Sequence, residues 1–390
     1  MVQFQPIEAS LVDGPVAARV AIPPYDSLTP QQRSELAGAE PLSFLHALPS
    51  GDDDAGRVEA VAGLERLVSH GVFGPEQAGF FVYRFGDRTA SQTGLVGGVA
   101  IDDVIDGVVL PHEQVRPDRV TGLVDYQEAV GASSSPVAMT YRATSRLDNL
   151  VARITARAPD LHFAAGDGVA QTVWRVEEEA SEVAAAAREV THAYITDGHH
   201  RVAAAVEIAH RRRLAGQAPG RAGQLLSVLF PDHDLRLHGF HRLVVPFDPI
   251  DGLLRDLGPQ DLVAVPIEDL RPQDPGWCGL LVGGRSFRFR LPGSGDVLPD
   301  RLDPNRLQDH VLGPLLGVVD PGRDPRLDNV PGTVPVDELV ARASGGVGFV
   351  LHPVTMADFM LVSEMGASMP PKSTYFSPKP RSGVFLRRTR

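Results

Sequence analysis

One octapeptide and the segment behind it constrain this chain most. Tyr194-Ile195-Thr196-Asp197-Gly198-His199-His200-Arg201 runs directly into Val202-Ala203-Ala204-Ala205-Val206. The first three residues favour a strand, and the Ala-rich run favours a helix. The pattern predicts a strand, a tight turn at Asp197-Gly198, and a helix starting near His199. Gly198 permits a left-handed backbone and a close approach to a ligand. The first amides of a helix have no intrahelical partners and carry the positive end of its dipole. They suit an anion, and phosphate is the best chemical match, with Arg201 as a forked donor and His199 and His200 beside it. The competing reading is structural punctuation, because Asp-Gly often precedes a helix. The chain contains no Walker loop of the form Gly-x-x-x-x-Gly-Lys-Ser/Thr.

Size and charge narrow the classes. A length of 390 residues allows two or three domains and a sizeable core. The net charge of −12 disfavours a nucleic-acid surface. The single cysteine, Cys278, excludes an intramolecular disulfide and fits a reducing compartment. It lies beside Trp277 with no activating base adjacent in sequence, so it reads as packing rather than a nucleophile. No apolar run approaches the roughly 18 to 20 residues of a membrane span. Met1-Val2-Gln3-Phe4 lacks the basic and apolar regions of a signal peptide. The expectation is a soluble cytoplasmic protein with no membrane partner.

The rest of the chain alternates helical and extended patterns, which predicts a mixed α/β (α+β) fold. Strands are expected at residues 16–22, 41–46, 108–110, 136–141, 171–176 and 224–230. A hairpin is expected from 80–85 and 93–100, turning at Gly86-Asp87-Arg88. Helices are expected at 27–37 with Thr29 as cap, 57–70, 120–130 closed by Gly131, 145–158 and 177–190. The character changes near residue 247. Three regions follow: an N-terminal α/β region at 1–100, a core at 101–246 with an insertion at about 142–190, and a C-terminal α/β region at 247–390.

Two further strings carry chemistry. His112-Glu113 follows a strand end, and a carboxylate beside an imidazole can act as a general base or orient a metal. The alternative is a solvated surface glutamate. The tail Met369-Pro370-Pro371-Lys372-Ser373-Thr374-Tyr375-Phe376-Ser377-Pro378-Lys379 is proline-pinned and aromatic. Such a loop can deliver Lys372, Ser373 and Thr374 to a substrate, or it can staple the C-terminus to the core. His233 and His238 lack the spacing of a structural zinc site.

The tail, the turn and the strings Pro23-Pro24-Tyr25-Asp26 and Pro41-Leu42-Ser43-Phe44-Leu45-His46 together resemble the bacterial and archaeal family known as domain of unknown function 1015. The resemblance runs in order over nearly the whole chain. More distantly, Leu110-Pro111-His112-Glu113, Ser135-Pro136-Val137-Ala138 and Asp197-Gly198-His199-His200-Arg201 resemble the ParB/sulfiredoxin fold group. That group includes partition proteins that bind CTP, sulfiredoxin that uses ATP, and free-serine kinases. The long insertion at 142–190 is a departure from it.

The distant resemblance implies a nucleotide-binding core. Nucleotide phosphates would lie on Gly198, His199, His200 and Arg201. Glu113 would be the catalytic base, with His112 beside it. The implied activity is a small-molecule kinase moving a phosphoryl group from ATP or ADP to a hydroxyl of serine or a similar metabolite. Mg²⁺ would bridge the phosphates and Asp197, and His200 and Arg201 would stabilise the transferring group. Lys372 could add a cation. The alternative is a CTP- or ATP-binding regulatory protein without phosphoryl transfer. Nuclease activity has no metal-ligand spacing to support it. The oligomeric state stays open, a homo-oligomer included.

Overall fold

The computed structural model describes residues 1–390 except 52, 87–90, 246–249 and 294–296. The chain divides into two compact units, Met1–Leu235 with Pro378–Arg390, and Arg236–Ser377. This differs from the three expected regions. Gln77–Gly86 and Ser91–Ala100, from the expected N-terminal region, share a sheet with Ala193–Asp197. The segment Pro378–Arg390 returns to the first unit.

The first unit is built on a twelve-stranded sheet. Its main path runs Val109–Leu110, Ala193–Asp197, Val137–Tyr141, Gln224–Pro231, Ser91–Ala100, Gln77–Gly86, Ile7–Leu11, Phe385–Arg388 and Ala132–Ser133. Val137–Tyr141 pairs antiparallel with Ala193–Asp197 and parallel with Gln224–Pro231. Val109–Leu110 pairs parallel with Ala193–Asp197. The sheet is therefore mixed, and the expected α/β class is what the structure shows.

Both faces of the central strands are covered, so their residues read as apolar runs rather than alternating ones. Phe80, Val82, Leu95, Met139 and Ile195 join one core. Helix Ser145–Thr155 adds Leu147, Leu150 and Ile154 to it, at the spacing of one helical face. Each such side chain contributes about 1.5–3 kcal/mol by leaving water. Helix His199–Leu214 adds Val202 and Ala209. This anchors the helix that carries the turn.

The second unit holds a six-stranded sheet ordered Val263–Ala264, Arg285–Arg290, Trp277–Val282, Val347–Leu351, Phe240–Val244 and Leu327–Pro331. Its pairs are antiparallel. Cys278 is fully buried in the central strand, as its apolar setting implied. Burial raises its thiol pKa, which suits packing and not nucleophilic chemistry. Leu237–His238 pairs with Tyr375–Phe376 as a separate ribbon.

Several local expectations hold. Pro30–Ala39 is a helix with Thr29 in a capping box with Gln32. Pro117–Val130 ends at Gly131 in the left-handed conformation. The two hairpin strands are present, while Asp87 and Arg88 of the expected turn lie outside the described residues.

Others are corrected. Residues 16–22 are not a strand: a short 3-10 turn at Gly14–Val16 leads into helix Ala17–Val20. Pro15 opens the turn, and Ala17, Ala18 and Arg19 favour helix over strand. Residues 41–46 contain the 3-10 turn Phe44–Ala47, because the Ser43 hydroxyl accepts from the Leu45 amide and closes the backbone locally. The helix expected at 177–190 is shorter, Ala180–Ala187. Among the described residues no helix is long and apolar enough to cross a membrane.

Candidate functional site

Strand Ala193–Asp197 is buried and delivers Asp197 at its C-terminal end. Its register against Val137–Tyr141 shifts between Ile195 and Asp197, a bulge of the kind that re-aims a side chain. Gly198 follows with φ +99° and caps helix His199–Leu214. A side chain there would be strained by that φ. Its Cβ would also lie 2.8 Å from Arg201 Nη2. The conformation calls for glycine, while the arginine tip could give way to a small side chain. The Val202 amide donates to the Gly198 carbonyl at 3.0 Å. The amides of His199, His200 and Arg201 lie ahead of it, in the first turn of a 16-residue helix.

Charge collects at the same point. Asp197 Oδ1 is 2.5 Å from Lys379 Nζ, and Oδ2 accepts from Arg201 Nη2 at 2.6 Å. Burial pushes the Asp197 pKa up, but the charges of Lys379 and Arg201 outweigh it and hold the carboxyl below its ordinary range. Arg201 Nη1 donates to the carbonyls of Ser135 at 2.6 Å and Pro136 at 3.1 Å. One carboxylate faces two cations beside the helix amides. That arrangement favours an anionic ligand.

Asp197 does not fit the expected role of magnesium ligand. Both carboxylate oxygens are held by cations. Among the described residues no group of three His, Cys, Asp or Glu side chains could hold a metal ion.

The Pro111-His112-Glu113 string is tied to this turn by imidazoles. The His112 Nδ1–H donates to the Ile195 carbonyl at 2.8 Å. The His112 amide donates to His199 Nε2 at 3.4 Å, and the Arg116 amide donates to His200 Nε2 at 3.0 Å. The His112 and His199 rings meet edge-on, 4.5 Å between centroids. The His199 and His200 rings brace the loop that carries Glu113, and their backbone amides belong to the first turn of the helix. His199 is 7% exposed, and burial, reinforced by His112, pushes its pKa down to about 3. It is neutral, with Nε2 accepting and the proton on Nδ1.

Glu113 sits at the mouth of this pair with its side chain 41% exposed. Its Oε1 is 3.6 Å from His112 Nε2 and its Oε2 is 3.9 Å from His199 Nδ1. The Ile195 bond fixes the His112 proton on Nδ1, which turns the Nε2 lone pair toward the Glu113 carboxyl. A partly exposed carboxylate at this point can accept a proton from an incoming hydroxyl. This is chemistry suited to a general base.

The remaining expected residues belong to the second unit. Lys372 has a left-handed φ of 55° and places Nζ 5.5 Å from the Phe240 ring centroid. Arg242 donates to the carbonyls of Pro371 at 3.1 Å and Lys372 at 3.0 Å. Ser373 and Thr374 are buried, and the Ser373 Oγ has no hydrogen-bond partner among the described residues.

A family model described as protein of unknown function (DUF1015) matches residues 4–303. The chain belongs to this family. The match spans Glu113, the turn and the strands that carry them. No curated protein matches the chain. Among solved structures, a free serine kinase variant in complex with ADP is 14% identical, with a TM-score of 0.38 over 74% of this chain and 91% of its own. SbnI with C-terminal truncation from Staphylococcus aureus is 13% identical, with a TM-score of 0.37 over 73% and 84%. A conserved hypothetical protein from Pyrococcus furiosus is 13% identical, with a TM-score of 0.35 over 73% and 93%. At these values the likeness bears on neither mechanism nor substrate.

In this DUF1015 chain, sequence reasoning singled out Lys372 and passed over Lys379. The structure sets Lys379 on Asp197. Its only signal in the sequence was membership of the same proline-pinned string, which does not say which lysine reaches the turn.

Proposed function

We propose that this DUF1015 protein is a small-molecule kinase with a ParB/sulfiredoxin-like nucleotide-binding core. One observation carries the reading. Two cations, Lys379 and Arg201, meet on Asp197 at a glycine-capped helix N-terminus, and imidazoles hold the loop of a carboxylate, Glu113, against that same helix start. The terminal phosphates of ATP or ADP would lie on the amides of His199, His200 and Arg201. Lys379 and Arg201 would neutralise their charge.

The acceptor would be a hydroxyl of serine or a similar metabolite. Its oxygen attacks the terminal phosphorus while its proton passes to Glu113. The bond from phosphorus to the bridging oxygen breaks, and the shortened nucleotide leaves. Any divalent cation would travel with the nucleotide, because Asp197 is already paired.

The test is a transfer screen. Protein with Mg²⁺ is offered ATP, ADP and CTP against free amino acids and small alcohols, with products read by mass spectrometry. A phosphorylated product that disappears in Glu113→Gln supports the kinase. Tight nucleotide binding with no product supports the alternative, a nucleotide-binding regulator without transfer.

A further inference from the structure

A cavity of about 140 Å³ lies within the first unit along one face of helix His199–Leu214. Arg201, Ala205, Ile208 and Arg212 line it from that helix, at the spacing of a single face. Its volume is close to the roughly 150 Å³ of a cavity that accepts benzene. It admits a small organic molecule and is too small for a whole nucleotide.

The wall has two characters. Ala205, Ile208 and Leu226 give an apolar side. Arg212 and Arg387 give guanidinium groups, and Arg201 and Arg390 add two more. Among the described lining residues Glu128 is the one with a carboxylate side chain, and it lies 3.6 Å from Arg211, outside the lining.

Arg387 decides the character of the cavity. It is 3% exposed and donates to the carbonyls of Gln224, at 2.9 Å, and Arg221. Among the described residues no carboxylate lies within ion-pair distance of it. The nearby Glu8 and Glu76 are taken by Arg221. Burial and the Arg221 charge push its pKa down to about 10, so it remains charged at neutral pH. A buried cation with only carbonyl partners is poorly compensated, and an anion at the cavity end of the fork would complete it.

We propose that this cavity binds a small organic anion, with a carboxylate or phosphate group on Arg387 and Arg212 and an apolar body against Ala205, Ile208 and Leu226. The site is separate from the Glu113 loop and does not rest on the kinase reading. Arg201 joins the two. It lines the cavity and also pairs with Asp197 in the turn, so an occupant biases the arrangement of the turn.

The experiment is calorimetric titration of the full chain with benzoate, phenyl phosphate, inorganic phosphate and neutral benzyl alcohol. Benzoate or phenyl phosphate should bind, and benzyl alcohol should not. Arg212→Ala, on a partly exposed helix face, should weaken that binding about tenfold while leaving the fold intact by circular dichroism. Arg387→Met should abolish binding if it folds. The proposal is overturned if no anion binds, if benzyl alcohol binds as well as benzoate, or if Arg212→Ala leaves the affinity unchanged. Inorganic phosphate binding as tightly as phenyl phosphate would overturn the apolar half of the site.

Discussion

The turn at residues 197–201 and the tail at residues 369–377 each order their backbone around an arginine, but they satisfy it with different groups. In the turn, Arg201 meets the Asp197 carboxylate, and Lys379 meets the same carboxylate from its other oxygen. In the tail, Arg242 is buried and donates to the carbonyls of Pro371, Lys372 and Phe240. Burial pushes the Arg242 pKa down to about 10. Carbonyl dipoles around the Arg242 guanidinium fix a backbone path. In the turn, two cations meet on one carboxylate beside the first amides of a helix. The tail's arrangement braces a loop, and the turn's suits an anion.

The sharpest break of that contrast comes at Glu113. Glu113→Gln should lower phosphoryl transfer by at least about 100-fold, the usual size of a general-base contribution. Nucleotide affinity by equilibrium dialysis should stay within about twofold, because the turn is untouched. Near-normal turnover would remove the base from Glu113.

The lysine pair comes next. Lys379→Met should weaken nucleotide binding about tenfold by removing one charge-assisted contact. Lys372→Met should change it by less than about twofold, since Lys372 lies over the Phe240 ring. The reverse ranking would mean that the tail, not the turn, receives the phosphates.

A smaller effect tests the backbone of the turn. Gly198→Ala places a side chain at φ +99° against Arg201 and should cost about 1–3 kcal/mol in a denaturant titration. An unchanged midpoint would mean the turn relaxes without strain.

The mildest prediction concerns pH. His199 binds its proton less tightly when folded, about 3, than when unfolded, about 6.5. Its stability contribution is therefore full above about pH 6.5 and falls as pH drops toward 3. Asp197, held below its ordinary range, adds a loss only at lower pH, as it takes up a proton in the folded state. His241 in the second unit is likewise pushed down to about 3, mainly by burial. Melting temperature measured between pH 7 and 5 should fall, and His199→Gln should flatten that slope. A slope unchanged in His199→Gln but flattened in His241→Gln would place the acid sensitivity in the tail's unit alone.

Legibility differed by the range of the forces involved. The strand, Gly198 and the helix that follows were readable because propensity, left-handed backbone and helix start all act within a few residues. The string at His112 was readable as chemistry, but its tie to the turn depends on ring nitrogens meeting amides far away in sequence. Residues 41–46 misled because an apolar run looks extended until Ser43 closes it into a 3-10 turn. The break expected near residue 100 was invisible as an error, since a strand carries no mark of which sheet it joins.

The sequence by itself determined the mixed α/β class, the glycine-capped helix and the anion-friendly composition of its first turn. These follow from local periodicity, from backbone sterics at Gly198 and from residue type. Only the tertiary structure decided that Lys379 rather than Lys372 meets Asp197, that His199 and His200 turn their rings to the Glu113 loop, and that Arg387 is buried beside a cavity. Those choices are made by packing between distant segments, where burial sets the cost of each charge and the nearest available partner settles it.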